Sequence, residues 1–157
     1  MNLGMIYKLS TNKVTYIFNQ PRHKVSVLSG ASGSGKTELY RLVSLYSRGV
    51  MSVKCNYNGV TKGVKIAVAG DLTPEELNAR YDGYLIFIDE DCRLLMDYSS
   101  IEIADCINRS NNRFIFILRN FNKLCDISLS EHSIFQIETK KNVNTLVPLV
   151  MHPTLEK

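Results

Sequence analysis

The chain has 157 residues, within the usual range of a single domain, and we expect residues 1–157 to form one domain. Its 45% hydrophobic and 22% charged residues are ordinary for a folded globular protein and argue against a disordered chain. The formal charge of +4 is modest and contains no long run of like charges, so it permits a nucleic-acid or acidic partner without requiring one.

The cysteines exclude the common thiol-based sites. They are widely spaced, without a Cys-x-x-Cys pair or a histidine cluster, so neither a zinc site nor a redox motif is present. We expect all four cysteines to be buried thiols in a reducing compartment. They are Cys55, Cys92, Cys106 and Cys125.

No stretch approaches the roughly 18 apolar residues of a membrane span, and the first ten residues lack the apolar core of a secretion signal. The chain is therefore expected to be cytoplasmic and not to contact a membrane.

The amino-terminal elements are predicted from their periodicity. Alternating apolar and polar side chains at residues 14–18, after a turn at residues 10–12, predict a β-hairpin at one edge of the sheet. An apolar run at residues 25–28 predicts a strand that ends in a glycine-rich loop. Apolar side chains at helical spacing in residues 39–46 predict an amphipathic helix, which Gly49 is well placed to end.

The middle of the chain carries two turn or cap patterns. Residues 51–57 alternate, and the Asn58-Gly59 pair behind them predicts a hairpin turn, with the next strand at residues 64–69. Residues 73–76, Thr-Pro-Glu-Glu, combine an N-cap, a proline at the first helical position and a capping glutamate. They predict a short helix toward Arg80.

The remaining elements complete the predicted fold. Residues 99–102 predict the start of a helix whose Ile103 and Ile107 face inward. Strands that are apolar throughout and alternate with helices are typical of a parallel sheet buried on both faces. We therefore predict an α/β fold, with a mainly parallel central sheet between helix layers and with N-terminal and C-terminal β-hairpins. The further strands are predicted at residues 84–88, at residues 114–118 and, as a pair joined near residues 140–144, within residues 133–150.

The glycine-rich loop matches the pattern G-x-x-x-x-G-K-[ST] at every fixed position and lies between an apolar strand and an amphipathic helix. Glycines allow successive backbone N–H groups to turn toward phosphate oxygens, and the following helix adds its positive amino end. The motif lysine places a positive charge between the β- and γ-phosphates, and the motif threonine hydroxyl binds Mg²⁺. The predicted nucleotide-binding residues are Gly30, Ala31, Ser32, Gly33, Ser34, Gly35, Lys36 and Thr37.

The apolar strand at residues 84–88 ends in the acidic residues Asp89, Glu90 and Asp91. Together with the phosphate loop, this strand resembles the second signature of P-loop NTPases. An Asp-Glu pair at this place resembles the ATPase branch with an additional strand and a catalytic glutamate, which contains AAA-type, ABC-type and RecA-like ATPases. This resemblance implies a three-layer P-loop NTPase core.

The resemblance assigns roles to three residues. It implies that Asp89 holds Mg²⁺ through water and that Glu90, as a general base or a polarising group, orients the water that attacks the γ-phosphate. It also implies a polar sensor after the neighbouring strand, which places Asn120 next to Lys36 and Glu90 in the catalytic set. Asp91 is expected to be a helix-capping or surface acid, and Arg119 is left without a role.

The subfamily stays open. Residues 64–83 contain no ABC-type signature, and the chain closes with strands where AAA-type ATPases carry a helical lid. Residues 122–126 resemble the guanine-reading Asn-Lys-x-Asp of GTPases but contain one residue too many, so GTP specificity is not supported. Tyr7 or Tyr16 would either stack on adenine or belong to the core, and the core is favoured.

The sequence therefore predicts an ATPase that binds ATP and Mg²⁺ and couples hydrolysis to a protein partner or to self-association, since few residues lie outside the core. One alternative is an ATP-gated binding module with little or no hydrolysis. The other is a small P-loop kinase, although the arginines after the acidic strand do not cluster as they would in a kinase lid.

Overall fold

The computed structural model describes residues 5–30, 35–119, 122–129 and 133–149. No helix within these ranges is long and apolar enough to cross a membrane. The strands are β1 (Ile6–Ser10), β2 (Thr15–Asn19), β3 (Val25–Leu28), β4 (Lys54–Tyr57), β5 (Ile66–Val68), β6 (Leu85–Asp89), β7 (Arg113–Ile117), β8 (Ile134–Lys140) and β9 (Val143–Pro148). The α-helices are α1 (Lys36–Ser47), α2 (Pro74–Arg80), α3 (Arg93–Asp97) and α4 (Ser100–Arg109), and a 3₁₀-helix spans Asn122–Leu124.

The strands form one mixed sheet in the order β4-β1-β2-β9-β8-β3-β7-β6-β5. Five neighbouring strands, from β8 to β5, run parallel to one another. The hairpins β1–β2 and β8–β9 are antiparallel, which confirms the predicted N-terminal and C-terminal hairpins. β4 pairs antiparallel with β1 and forms the edge of the sheet, so the predicted edge position of the N-terminal hairpin is wrong.

The helix boundaries follow the caps. Thr73 and Glu76 form a reciprocal capping box at the start of α2, and Ser99 and Glu102 do the same for α4, as predicted. Helix α3 was not predicted. It has five residues, and its N-cap residue, Cys92, makes no side-chain capping hydrogen bond. Its sequence therefore lacks the capping-box pattern that predicts α2 and α4.

The apolar side chains form two cores, one on each face of the parallel strands. Helix α1 contributes to one core together with β1 and β2. Helices α2, α3 and α4 contribute to the other. On the first face, therefore, β1 and β2 pack together with α1 and partly replace the second helix layer that was predicted.

The predicted three-layer P-loop core with a mainly parallel central sheet is wrong. In the described part of the chain, the mixed sheet has nine strands and curls into a half-barrel, with four α-helices of 5 to 12 residues. Five positions separate β2 from β6 in the sheet order, which in a flat sheet corresponds to roughly 24 Å. Nevertheless, the rings of Phe18 on β2 and Phe87 on β6 lie 5.9 Å apart and edge to face.

The curl has a physical reason in the burial pattern. β1 and β2 alternate between buried and exposed side chains, so each strand has one apolar face to cover. The buried aromatic residues Tyr7, Tyr16 and Phe18 cover that face by packing on the core of α1. The hydrophobic effect thus bends the antiparallel part of the sheet over the helix.

The hairpin predicted between β4 and β5 is also wrong. The Asn58-Gly59 turn does form, with positive φ angles of 50° and 92°, but it closes only on a single bridge between Tyr57 and Val60. β4 and β5 themselves lie at opposite edges of the sheet. The Asn-Gly pair therefore predicts the local turn correctly but does not predict which strands pair.

Candidate functional site

The carboxyl ends of β3, β6 and β7 meet at one edge of the sheet because these strands are parallel neighbours. An open cleft of about 610 Å³ lies at this edge, between the start of α1 and the segments that follow β6 and β7. Carboxyl ends of parallel strands are the usual place for ligand sites in such sheets. The charged and hydroxyl side chains along the cleft include Lys36, Thr37, Asp89, Glu90 and Arg119.

Gly35 shapes the start of α1. Its φ of 100° is in the left-handed region, which favours glycine. Its carbonyl oxygen accepts hydrogen bonds from the Leu39 N–H at 3.0 Å and from the Tyr16 hydroxyl at 2.9 Å. Burial, reinforced by the nearby Glu38, raises the pKa of Tyr16 to about 12, so this hydroxyl keeps its proton at neutral pH. Strand β2 thus anchors the helix that carries the motif lysine and threonine.

The aromatic alternatives for adenine stacking are resolved by burial. Tyr16 is 1% exposed and Tyr7 is 5% exposed, so both rings belong to the core. The interpretation favoured from the sequence is confirmed. Neither the hydrogen bond of Tyr16 to Gly35 nor its closeness to the cleft was expected.

Replacing Gly35 with alanine is expected to destabilise the protein by about 1–3 kcal/mol, because the backbone would be strained and the new Cβ would meet the Tyr16 hydroxyl oxygen at 3.1 Å. Chemical denaturation measures this loss. Gly49→Ala is the matched control: Gly49 has a φ of 84°, but nothing lies within 4 Å of an added Cβ. The additional loss in Gly35→Ala isolates the Tyr16 contact, and equal losses would contradict that contact.

Lys36 lies at the first position of α1 and is only 9% exposed. Its Nζ donates a hydrogen bond of 2.6 Å to the carbonyl oxygen of Gly30, which bridges the two described ends of the glycine-rich loop. Burial and the neighbouring positive charge of Arg119 lower the pKa of Lys36, while Glu90 opposes this shift. The three charged groups are therefore electrostatically coupled, and an anion in the cleft would favour the charged form of Lys36.

The acidic residues are held by backbone groups. Asp89 is half-buried at the end of β6, and its Oδ1 accepts from the Asp91 N–H at 3.1 Å. Glu90 is exposed, and its Oε2 accepts a hydrogen bond from the backbone N–H of Arg119 at 2.8 Å. The Glu90 carboxylate thus links the segments that follow β6 and β7. Asp91 is exposed, which agrees with its interpretation as a surface acid.

Two supporting residues were missed in the sequence. The Tyr40 hydroxyl and the Cys92 sulfur lie 3.0 Å apart, and the Cys92 sulfur also accepts from the Asp89 N–H at 3.4 Å. Burial raises the pKa of Cys92 to about 11. This contact ties α1 to the turn that carries Asp89. The cysteine expectation is correct for three residues and wrong for Cys125, which is exposed.

The structure brings together Gly35, Lys36, Thr37, Asp89 and Glu90 on one cleft. The predicted residues from Ala31 to Ser34 and the predicted sensor Asn120 lie outside the described residues. Hydroxyl and carboxylate oxygens, as Thr37 and Asp89 supply, are the donor types that Mg²⁺ prefers.

Comparison with protein-family models, with curated proteins and with solved structures finds no significant match to this chain.

Proposed function

We propose that this cleft binds a nucleoside triphosphate with Mg²⁺, that the nucleotide is ATP, and that the chain hydrolyses it. One observation carries the proposal: the lysine and threonine of the G-x-x-x-x-G-K-[ST] motif line the same cleft as the Asp-Glu pair, although 52 residues separate Thr37 from Asp89 in the sequence. A phosphate-binding motif and an acidic pair that face each other are the parts that phosphoryl transfer needs.

Binding is supported by the charges at the start of α1. The Lys36 ammonium group and the helix amino end both attract the phosphates, and Arg119, which also lines the cleft, adds a second cation. Because Lys36 is largely removed from water, its attraction for an anion is stronger than that of a surface lysine.

The chemistry is assigned to the acidic pair. Thr37 and Asp89 would hold Mg²⁺, which neutralises charge on the phosphate oxygens. Glu90 accepts a proton from a water molecule as the water oxygen attacks the γ-phosphorus. The bond from that phosphorus to the β–γ bridging oxygen breaks, and the products are the diphosphate and inorganic phosphate.

Nucleotide binding is tested by thermal unfolding of the wild type and of Lys36→Ala with MgATP and with MgGTP. A ligand that binds only the folded state stabilises it by about 2.7 kcal/mol at a hundredfold excess over Kd. We expect the wild type to be stabilised by MgATP and the variant to lose most of this effect. Lys54→Ala, which removes an exposed lysine from β4, is the control and should keep it. An unstabilised wild type would contradict the proposal.

One observation favours a second candidate, an ATP-gated binding module with little hydrolysis. The Glu90 carboxylate already accepts a hydrogen bond from the backbone N–H of Arg119, and that bond does not orient it toward a water molecule. A partner or a second copy of the chain that changes the segment after β7 would then be needed for turnover. Phosphate release by the isolated protein at a rate typical of enzymes would exclude this candidate.

A further inference from the structure

A second cleft, of about 550 Å³, lies at the amino ends of β3, β7 and β6. We call it the amino-end cleft. It is at the opposite edge of the parallel strands from the candidate nucleotide site, because that site is formed at their carboxyl ends. Nothing in the proposed function uses it.

Basic and aromatic residues follow one another along this edge. The Phe114 N–H donates to the Lys24 carbonyl at 2.8 Å, and the Arg113 N–H donates to the Tyr84 carbonyl at 2.9 Å. Lys24, Arg113 and Tyr84 are therefore placed at the starts of three adjacent strands, which are about 4.8 Å apart. Arg22 lines the same cleft. On the next strand of the sheet, Lys65 lies at the start of β5, and the Lys65 carbonyl accepts from the Leu85 N–H at 3.0 Å.

The cations of the cleft have no ion-pair partner among the described residues. Within the described part of the chain, the side chains of Arg22, Lys24 and Arg113 make no ion pair and no hydrogen bond. Arg113 is half-buried, so its charge is partly removed from water without a counterion. The nearby carboxylate of Asp82 accepts from the Asn111 side-chain N–H at 2.5 Å, and because this donor is neutral, the charge of Asp82 offsets only part of the excess of cations. A ligand with several negative charges is the natural complement of this surface.

We propose that the amino-end cleft binds single-stranded nucleic acid. Lys24 and Arg113 contact successive phosphodiester groups. The half-buried ring of Tyr84, which also packs against Tyr81 with the ring centroids 4.7 Å apart, offers its remaining surface to a base. A row of cations beside an aromatic ring suits a flexible strand with accessible bases. In a duplex, the bases are paired and stacked on one another, so a ring at this place could not reach their faces.

The proposal is tested by fluorescence anisotropy with a labelled oligothymidylate of about 20 nucleotides, for the wild type and for the double variant Lys24→Gln/Arg113→Gln. We expect the double variant to bind at least about tenfold more weakly near 0.1 M salt. The slope of log affinity against log salt should fall by about 1.4, which is about 0.7 for each phosphate that the variant no longer neutralises. Lys54→Gln is the matched control, with an exposed lysine on β4 outside the cleft, and should bind as the wild type does.

Further measurements separate the sources of a negative result. Circular dichroism and the melting temperature establish that the double variant is folded. Tyr84→Leu should weaken oligonucleotide binding but leave binding of inorganic polyphosphate unchanged, because polyphosphate has no bases. The proposal is overturned if the wild type binds no oligonucleotide, if the folded double variant binds as tightly as the wild type, or if duplex DNA of the same length binds equally well. These outcomes do not depend on whether ATP binds at the other cleft.

Discussion

Glu90→Gln is expected to reduce the rate of Mg²⁺-dependent phosphate release from ATP by about 100-fold to 10,000-fold, the range that general-base catalysis supplies. The amide cannot accept the proton of the attacking water. Its side-chain carbonyl oxygen can still accept from the Arg119 N–H, so the link between the segments after β6 and β7 should be kept. The measurement is single-turnover phosphate release at saturating MgATP.

Two comparisons make this prediction specific. Glu75→Gln makes the same chemical change at an exposed glutamate of α2 outside the cleft, and it should change the rate by no more than about twofold, because surface substitutions have small effects. Thermal stabilisation of Glu90→Gln by MgATP should match that of the wild type, since the lysine and threonine of the motif are unchanged. If Glu90→Gln releases phosphate at the wild-type rate, Glu90 has a structural role and the gated binding module becomes the better account.

Much of the cleft was predictable because its residues follow from local rules. A glycine-rich loop between a strand and a helix and an acidic pair at a strand end can each be recognised within about ten residues of sequence. Parallel strands then bring their carboxyl ends to one edge, so Lys36 and Glu90 meet without further information. The supporting contacts were not predictable in this way: Tyr16 and Gly35 are 19 residues apart, and Tyr40 and Cys92 are 52 residues apart.

The fold was predictable in its elements and not in their arrangement. The capping boxes of α2 and α4 depend on residues three positions apart, and both formed as expected. The alternation in β1 and β2 correctly indicates one buried face for each strand. It does not say which apolar surface that face covers, and here it is the core of α1 across a curled sheet. The predicted three-layer arrangement is wrong for that reason.

The curl can be tested through its central aromatic pair. Phe87→Ala is expected to lower the free energy of unfolding by about 3–5 kcal/mol, because the ring is fully buried and its removal leaves a cavity. Urea denaturation measures this loss. Phe87 lies on the parallel part of the sheet and Phe18 on the N-terminal hairpin, so their edge-to-face contact also joins the two halves of the half-barrel.

A double-mutant cycle with Phe18→Ala separates that contact from cavity formation. Aromatic pairs contribute about 0.5–1.5 kcal/mol beyond the area they bury, so the losses in Phe18→Ala and Phe87→Ala should be non-additive by at least this amount. Phe116→Ala is the matched control: this ring is also fully buried but lies in the core on the other face of the sheet. Its loss should be equally large and should add to that of Phe18→Ala within about 0.5 kcal/mol. Additive losses for Phe18 and Phe87 would contradict the contact that joins the N-terminal hairpin to the parallel strands.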